Sequence, residues 1–426
     1  QYVRPETGEP LLASYQDYVQ LKIKKFGKKN LVYPFEGEIQ KYLQDSESLQ
    51  KGIKELLQKS GGSNWEGDYQ TFQKQISLYD SFVRKSILPK ARRTPELPYQ
   101  LYKHTLVGMG IDEEPEKMIE IGKKEYARVY QDFRKLTQAL SEKHGIKDSS
   151  PKAVINFLKT NLITKPSEVQ ELYESVSDRL TKIVETNDLV TLPKVRLKIR
   201  LAGETESKAT PVPHLVPPPL VNNKGVTPEF VIPTSESGVV PFDDFSYREA
   251  AVILTAHEGR PGHDLQFSRM LENKTSTIRA RYAANSVNIE GWALYAEDLV
   301  YPYLSDEEKL VALQTRLWRL ARYYLDPMIQ LGKGNENEVI KVFTEELGVS
   351  QVMAQLEFQR YAYRTPGQAP AYFHGLLKIR KLKTELERQY GILELKCFND
   401  TLVSFGLMPH DMILLFKDQF EKCKRN

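Results

Sequence analysis

The feature that most constrains this chain is the stretch His257-Glu258-Gly-Arg-Pro261-Gly262-His263, which places two imidazoles and a carboxylate close together. The apolar run 250–256 leads directly into it and predicts a buried helix. Hydrolytic zinc sites use these residue types, because neutral histidines bind the metal and a glutamate takes a proton from water that the metal activates. The stretch therefore predicts a metal site at the end of a buried helix.

The spacing of the two histidines differs from that of the common zinc-peptidase motif. In that motif, His-Glu-x-x-His, the histidines lie on one helix face, whereas His263 follows His257 by six residues. At about 100° per residue, a regular helix would place His263 roughly 120° away from that face. Pro261 lacks an N–H and Gly262 weakens a helix, so we expect a break there that turns His263 back towards His257. A chance cluster on a surface turn is the alternative, and a third ligand would decide between them.

Glu290, which follows His263 by 27 residues, is the candidate third ligand. That length of chain allows a loop and a return helix, and a carboxylate on a neighbouring helix completes zinc sites with two histidines. Gly291 and Ala293 are small enough for two helices to approach closely. Glu297, two turns further on the same face, would support a ligand or pair with a cation. An ordinary helix glutamate at 290 is the alternative, although its apolar surroundings argue against a fully solvated face.

A peptidase of this kind also needs a hydrogen-bond donor for the oxyanion of its tetrahedral intermediate. Segment 357–374 is the richest source, because tyrosines and basic side chains surround a Pro-Gly turn. Any one of these tyrosines is more often a packing residue than a donor, but we expect at least one to reach the metal site. The candidates are Tyr361, Tyr363 and Tyr372, with Arg360 and His374. The histidines without metal-like neighbours, predicted to be structural, are His104, His144, His214 and His410.

Composition and charge bear on partners and location. The 60 basic and 56 acidic residues give a net charge of +4, which offers no argument for a nucleic-acid partner. No apolar run approaches the roughly 18–20 residues of a membrane span. Cys397 and Cys423 could form one disulfide, but two thiols leave the compartment open; a secreted or periplasmic location is slightly favoured over a cytoplasmic one. Since the chain begins with Gln1, we expect that a segment upstream has been removed or left out.

Changes in residue pattern divide the chain into three parts, which we expect to form one catalytic domain together. Residues 1–190 and 246–426 show helical periodicity and are predicted to form two helical lobes, the second of which carries the site. Residues 191–245 form a proline-rich, extended connection with a strand at 195–201. This strand is either an edge strand that pairs with a substrate backbone or part of a structural hairpin. Further predicted elements are an extended piece at 230–233 and helices at 247–257, 280–304, 306–325, 335–347, 350–361 and 372–390.

Taken together, the motifs resemble the largely bacterial domain-of-unknown-function family 885 (DUF885). The matching residues are His257-Glu258-x-x-Pro261-Gly262-His263-x-Leu265-Gln266, then 290–297, Arg360-Tyr361, 366–369, Tyr372 and Gly375. The resemblance covers most of the chain, weakly before 190 and strongly from 225 to 385. The family is similar in architecture to helical glutamate-zinc peptidases. This implies a mainly α, large helical zincin-like (gluzincin) cleft fold with a small β hairpin or edge strand near the active site.

The resemblance also implies a role for each matching residue. The implied ligands of Zn²⁺ are His257, His263 and Glu290; the general base is Glu258; and the transition-state donor is Tyr372, with Tyr361 as second choice.

Two positions depart from the family pattern. Asp326 keeps the aspartate of an Asp-x-Gly-x-His-like stretch without its glycine and histidine, and Lys383 stands where the family usually has arginine. If these positions bind a substrate terminus, we expect the specificity to differ from that of relatives. Family members also tend to be longer at the N-terminus, so the chain is expected to be a fragment or a processed piece.

The sequence therefore predicts a zinc-dependent metallopeptidase that hydrolyses short peptides, because a deep helical cleft favours short or unfolded substrates. One alternative is a non-catalytic zincin-fold protein that binds peptides, against which the intact general base Glu258 argues. Another is a metal-dependent amidohydrolase acting on a non-peptide amide. The end of the peptide at which cleavage occurs and the oligomeric state are not readable from the pattern.

Overall fold

Helices make up most of the described chain, which confirms the prediction of a mainly helical protein. A computed structural model describes residues 11–26, 31–163, 165–203, 206–207, 210–233 and 243–425. Part of the predicted extended connection (234–242) and the predicted processing site before Gln1 lie outside the described residues. The chain forms two compact units, which are Gln1–Tyr99 with Ala362–Arg364 and Gln100–Tyr361 with Thr365–Asn426.

The first unit builds a small apolar core from amphipathic helices. Its elements are α1 (Leu11–Phe26), α2 (Glu36–Lys59) and α3 (Glu66–Phe82), the last continued by a π-helical turn (Val83–Ile87) and a 3₁₀ turn (Leu88–Lys90). Ile39, Phe82 and Val83 are buried at the centre of this core. The hydroxyls of Tyr42 and Ser46 donate hydrogen bonds to the Asp80 carboxylate, at 2.9 and 2.8 Å, and so tie α2 to α3.

The described rest of the chain adds more helices and a small sheet. The helices are α4 (Tyr99–Met109), α5 (Pro115–His144), α6 (Pro151–Leu158), α7 (Pro166–Thr186), α8 (Arg248–Glu258), α9 (His263–Glu272), α10 (Thr277–Tyr282), α11 (Ser286–Val300), α12 (Asp306–Gln330), α13 (Glu336–Lys341), α14 (Gln351–Gln359), α15 (Ala371–Tyr390), α16 (Leu395–Ser404) and α17 (His410–Ile413). Single turns of π-helix (Val342–Glu346, Arg360–Arg364) and 3₁₀-helix (Lys159–Asn161, Tyr301–Tyr303) join some of them, and a 3₁₀ segment of 10 residues (Leu414–Cys423) follows the last. In the described part of the chain, no helix has both the length and the apolar character that a membrane crossing requires.

Two pairs of long helices organise the second unit. α5 packs along α12, and α11 packs along α15. Local signals set their ends: Pro115 occupies the first turn of α5, and Gly145 ends it in a left-handed conformation. Ser305 and Glu308 form a capping box at the start of α12, so two N–H groups that the helix leaves unpaired are satisfied there.

The sheet of the second unit has three short strands. They are β1 (Lys198–Leu201), β2 (His214–Val216) and β3 (Glu229–Ile232), and β3 lies between a parallel β1 and an antiparallel β2. The predicted strand at 195–201 and the extended piece at 230–233 correspond to β1 and β3. The sequence did not predict β2, because prolines on both sides of this very short strand hide its alternation.

Two predicted helices were wrong in extent. The stretch expected to be a continuous helix from 280 to 304 is divided into α10 and α11. Asn285 causes the division, since its side chain accepts a hydrogen bond from the Asn288 N–H and caps a new helix. α12 in turn runs past the predicted end at 325 to Gln330, with Pro327 inside it.

A disulfide ties the C-terminal segment back to α16. Cys397 and Cys423, separated by 26 residues, are bonded, so the pairing that the sequence left open does form. The Glu394 N–H also donates to the Cys423 carbonyl at 2.7 Å.

The closest approach between α11 and α15 is a contact of two glycines. A Cβ atom placed on Gly291 would lie 2.6 Å from the Cα of Gly375, and one placed on Gly375 would lie 2.1 Å from the Val287 carbonyl oxygen. Both obstacles are backbone atoms, which no rotamer change can move. This contact sets the distance between the helices that carry Glu290 and Tyr372.

Asp326 is a buried anchor on α12. Its carboxylate accepts a hydrogen bond from the Tyr102 hydroxyl at 2.7 Å and from the Gly367 N–H at 3.0 Å. Burial raises its pKa to about 7, against the smaller opposing effect of these hydrogen bonds. The aspartate thereby fixes the turn 365–368, which precedes α15.

Replacing Gly375 with alanine should test the helix contact. We expect Gly375→Ala to lower the free energy of unfolding by about 1–3 kcal/mol, as overpacking does. Gly108→Ala is the matched control, because Gly108 lies in α4 with nothing within 4 Å of its Cβ position; there alanine should be neutral or stabilising. Chemical denaturation of both variants measures this, and equal stability would contradict the contact.

Asp326 should make stability depend on pH. The pKa in the folded protein, about 7, lies above the ordinary value of 3.8, so the folded state holds the proton more tightly between those values. The resulting stabilisation is fully present below about pH 4 and is lost as the pH rises through about 7; at about 1.4 kcal/mol per pKa unit it amounts to a few kcal/mol. Asp326→Asn should remove this dependence. Urea unfolding from about pH 4 to about pH 8 measures it, and parallel curves for the two proteins would refute it.

Candidate metal centre

The two histidines of the motif meet because the chain breaks and folds back between them. α8 ends at Glu258 and α9 begins at His263, as predicted from Pro261 and Gly262. A Cβ atom at 262 would lie 1.9 Å from the His257 carbonyl oxygen, so only glycine fits. The imidazole rings of His257 and His263 consequently lie 4.8 Å apart, at 84° to each other.

Side chains from other segments hold this turn in place. The Trp292 indole N–H on α11 donates to the carbonyl oxygens of both Pro261 and Gly262, each at 3.1 Å. Arg260 donates to the Asp264 carboxylate at 2.6 Å and to the Val195 carbonyl oxygen. The turn is therefore fixed by hydrogen bonds from α11 and to the segment before β1.

Glu290 completes a cluster of three potential ligands, as predicted. Its Oε2 lies 3.5 Å from His257 Nε2 and 3.4 Å from His263 Nε2, and it is buried without a hydrogen-bond partner. Ligand atoms about 2.0–2.2 Å from a tetrahedral zinc ion lie roughly 3.3–3.6 Å apart, so the spacing fits such an ion. Within the described residues, this is the group of His, Cys, Asp and Glu side chains placed to hold a metal.

Glu297 orients the first histidine. Its Oε1 lies 2.7 Å from His257 Nδ1, and Arg319 Nη2 donates to the same oxygen at 3.3 Å. With Nδ1 directed at the Glu297 carboxylate, Nε2 is the ring nitrogen that faces Glu290 and could bind a metal. Carboxylates hold metal-binding histidines in this way, and the sequence predicted this role for Glu297.

The charges of the cluster suit a bound cation. Burial favours neutral His257, but Glu290, Glu297 and Glu258 outweigh it and raise the pKa of the imidazole to about 9. Burial would raise the pKa of Glu290, yet the two imidazoles lower it well below its ordinary value. The carboxylates thus provide negative charge that a proton or a metal ion can neutralise.

Glu258, the predicted general base, lies beside the cluster rather than in it. Its Oε1 is 4.0 Å from His257 Nε2, and its Oε2 accepts a hydrogen bond from the Leu215 N–H at 2.8 Å. Because Leu215 belongs to β2, it is this strand, not the predicted β1, that meets the site. The bond holds one carboxylate oxygen and leaves the other beside the potential ligands.

The structure places the two candidate donor tyrosines differently. The Tyr372 ring stacks on His257 at 5.9 Å, and its hydroxyl accepts a hydrogen bond from Arg360 at 3.3 Å, which leaves its own proton without an acceptor among the described residues. The fully buried Tyr361 instead donates its proton to Glu357 at 2.6 Å. This contrast favours Tyr372 over Tyr361 as donor.

Further residues near the site were missed or only partly foreseen. Arg322 lies over the Tyr372 ring at 4.7 Å and is held by Glu357, a pairing between distant segments that no local pattern indicates. Gln368, which the sequence noted only as part of a motif, reaches Glu290 Oε1 at 3.5 Å and Ser286 at 3.0 Å.

The histidines expected to be structural have ordinary partners where these are described. His144 contacts Glu307 at 2.9 Å, and His214 Nδ1 contacts the Val212 carbonyl at 3.0 Å. His410 is buried, and burial lowers its pKa to about 4. His374 contacts Asp112 at 2.9 Å rather than the cluster.

Comparison with known proteins identifies a family. The family described as "Bacterial protein of unknown function (DUF885)" matches residues 28–414, in agreement with the motifs. No curated protein matches the chain.

Solved structures share the fold at low sequence identity. One is a provisionally named lipoprotein from Colwellia psychrerythraea, with a TM-score of 0.73 and 20% identity over 94% of this chain and 72% of that one. Another is a provisionally named lipoprotein of unknown function from Shewanella oneidensis, with a TM-score of 0.72 and 18% identity over 91% of this chain and 74% of that one. At such identity, the likeness concerns the fold alone.

The cluster should bind zinc at close to one ion per chain. His263→Ala should abolish binding, because it removes one of three ligands, whereas His104→Ala, at an exposed helix position, should not. Glu297→Gln should weaken affinity by about 10- to 100-fold, as loss of a supporting carboxylate does. Elemental analysis and competition with a chelator measure both effects. Zinc retained in His263→Ala would refute the assigned ligands.

Proposed function

This chain belongs to the DUF885 family, and we propose that it is a zinc-dependent metallopeptidase that hydrolyses short peptides. The proposed ligands are His257, His263 and Glu290, the general base is Glu258, and the oxyanion donor is Tyr372. We further propose that the second unit is a gluzincin-like fold with a helical cleft, since the three ligands come from two successive helices and a return helix.

The position of Glu258 is the observation that carries this proposal. A purely structural metal site closes all its positions with protein ligands, whereas a catalytic one leaves one open. Here three ligands converge, and a fourth acidic group lies 4.0 Å from one of them without joining them. The backbone N–H of Leu215 holds that carboxylate in place, as general-base catalysis requires.

The roles of the residues follow from their contacts. When bound, a zinc ion supplies a Lewis acid that makes water easier to deprotonate at neutral pH. Glu258 Oε1 accepts that proton and later passes it to the nitrogen of the leaving amine. The Tyr372 hydroxyl donates a hydrogen bond to the carbonyl oxygen as negative charge develops on it, and Arg360 fixes the direction of that hydroxyl.

An extended peptide suits the strand beside the site. β2 pairs with β3 on one side, and the Leu215 N–H points away from β3 to Glu258. The Leu215 carbonyl points to the same side, because both groups of a strand residue lie on one edge. A substrate backbone that donates an N–H to this carbonyl would lie along β2, so we propose for β2 the edge-strand role that the sequence suggested as one interpretation of 195–201.

The two alternative functions have less support. A peptide-binding protein without catalysis has no need of an oriented base at Glu258. An amidohydrolase acting on a non-peptide amide would use the same ligands and base, and the edge of β2 is the feature that favours a peptide. A location outside the cytoplasm is also proposed, because the Cys397–Cys423 disulfide is typical of oxidising compartments.

Glu258→Gln should separate metal binding from hydrolysis. It keeps the shape and the acceptor for Leu215 but cannot take a proton, so zinc content should stay unchanged while peptide cleavage falls by about 10²- to 10⁴-fold. A mixed library of short peptides, followed by mass spectrometry, measures cleavage. Glu249→Gln, on the same helix but outside the site, should cleave like wild type.

Three results would contradict the proposal. Stoichiometric zinc without cleavage of any peptide by wild type would favour the binding protein or the non-peptide amidohydrolase. Undiminished cleavage by Glu258→Gln would refute the assigned base. Failure to bind zinc, even when it is supplied, would exclude the whole mechanism.

A further inference from the structure

Arg360 differs from the neighbouring buried guanidinium groups because no carboxylate pairs with it among the described residues. Arg322 is held by two hydrogen bonds to Glu357, at 2.9 and 2.6 Å. Arg319 contacts Glu297 at 3.3 Å. Arg360 instead has two neutral partners: its Nη2 donates to Gln368 Oε1 and to the Tyr372 hydroxyl.

Arg360 has one further donor group, Nη1, that is available to a ligand. Its Nε is buried without a hydrogen-bond partner, and no bond from Nη1 is found within the described residues. A buried, unsatisfied donor on a charged group is costly. A carboxylate oxygen that accepts from Nη1 would satisfy this donor, and a carboxylate is the partner that arginine binds most strongly.

The carboxylates near Arg360 already accept hydrogen bonds from other residues. Glu357 is used by Arg322 and by the Tyr361 hydroxyl. Asp326 accepts from Tyr102 and from the Gly367 N–H. Both carboxylates attract Arg360 electrostatically, but neither forms an ion pair with it, so the cation keeps free donors.

Two side chains, Gln368 and Tyr372, each contact both Arg360 and a residue of the metal centre. Gln368 joins Arg360 to Glu290 Oε1, at 3.5 Å from the amide nitrogen, and Tyr372 joins Arg360 to the ring of His257, on which the tyrosine stacks. A group bound to Arg360 is therefore within about two extended residues, each about 3.5 Å long, of the ligands.

We propose that Arg360 binds a carboxylate of the substrate, so that this site favours peptides with a negative charge within about two residues of the cleaved bond. The inference rests on the proposed function, since it names the substrates of that site. A C-terminal carboxylate and an acidic side chain share this chemistry. In this arrangement, the Tyr372 hydroxyl donates a hydrogen bond to the reacting carbonyl, and Arg360 binds the carboxylate beyond it.

Binding measurements test this without relying on turnover. The Glu258→Gln protein, loaded with zinc, is titrated with short peptides in matched forms: free C-terminal acid or C-terminal amide, and Asp or Glu against Asn or Gln. We expect the charged forms to bind about 10- to 100-fold more tightly than the neutral ones, as for charge-assisted hydrogen bonds. A preference that follows the terminus identifies the C-terminal carboxylate, and one that follows the side chain identifies acidic residues.

Substitution of Arg360 in the same background assigns the preference to this residue. Arg360→Met should abolish the difference between charged and neutral peptides, because the charged forms lose about 10- to 100-fold more affinity than the neutral ones, and Arg360→Lys should keep part of the difference. Arg388→Met is the control, since Arg388 is exposed on α15, about 24 Å along the helix from Tyr372. Thermal unfolding of each variant verifies folding.

Two results would overturn the inference. One is equal binding of charged and neutral peptides before substitution. The other is an equal loss for all peptides in Arg360→Met, which would assign Arg360 to holding Gln368 and Tyr372. If wild type cleaves peptides without such a preference, the inference fails and the peptidase stands. If charge-dependent binding occurs but wild type cleaves nothing, the peptidase fails and the carboxylate site stands.

Discussion

The contact of Gly291 with Gly375 is the constraint on which the candidate site depends. It lets two long helices approach until their backbones touch, and each helix carries a residue of the candidate site near its glycine. Glu290 directly precedes the first glycine, and Tyr372 lies about one helical turn before the second. A larger side chain at either position would separate a potential ligand from the aromatic ring that covers His257. The chemistry of the site is therefore linked to the close packing of these two helices.

Among the described residues around this contact, two of the buried cationic groups are paired with carboxylates, whereas Arg360 has only neutral partners. His257 lies between Glu290 and Glu297, and Arg322 is neutralised by Glu357. Such pairs recover only part of the cost of removing charges from water, so they contribute more to position than to stability. Each pair fixes a ring: Glu297 fixes that of His257, and Arg322 lies against that of Tyr372. The His257 imidazole and the Tyr372 ring are thereby held in place by their neighbours.

The sequence predicted the parts of the site that depend on local chemistry. Pro261 and Gly262 indicated the break that brings His263 to His257, and small residues after Glu290 indicated close helix packing. It could not predict contacts between distant segments. The hydrogen bond of Leu215 to Glu258 depends on a three-residue strand, and the hydrogen bonds of Arg322 to Glu357 join two helices whose residues are 35 positions apart. Neither depends on a periodicity that a sequence displays.

Arg360, which has only neutral partners among the described residues, is informative because such an arrangement is energetically unfavourable. A half-buried guanidinium with neutral partners only, as found in the described part of the chain, costs the folded protein free energy. Arg322, packed against the same tyrosine ring, has a carboxylate partner in Glu357. The difference between the two arginines therefore cannot follow from burial alone. The difference is explained if Arg322 stabilises the fold through Glu357, whereas Arg360 binds the carboxylate of a substrate.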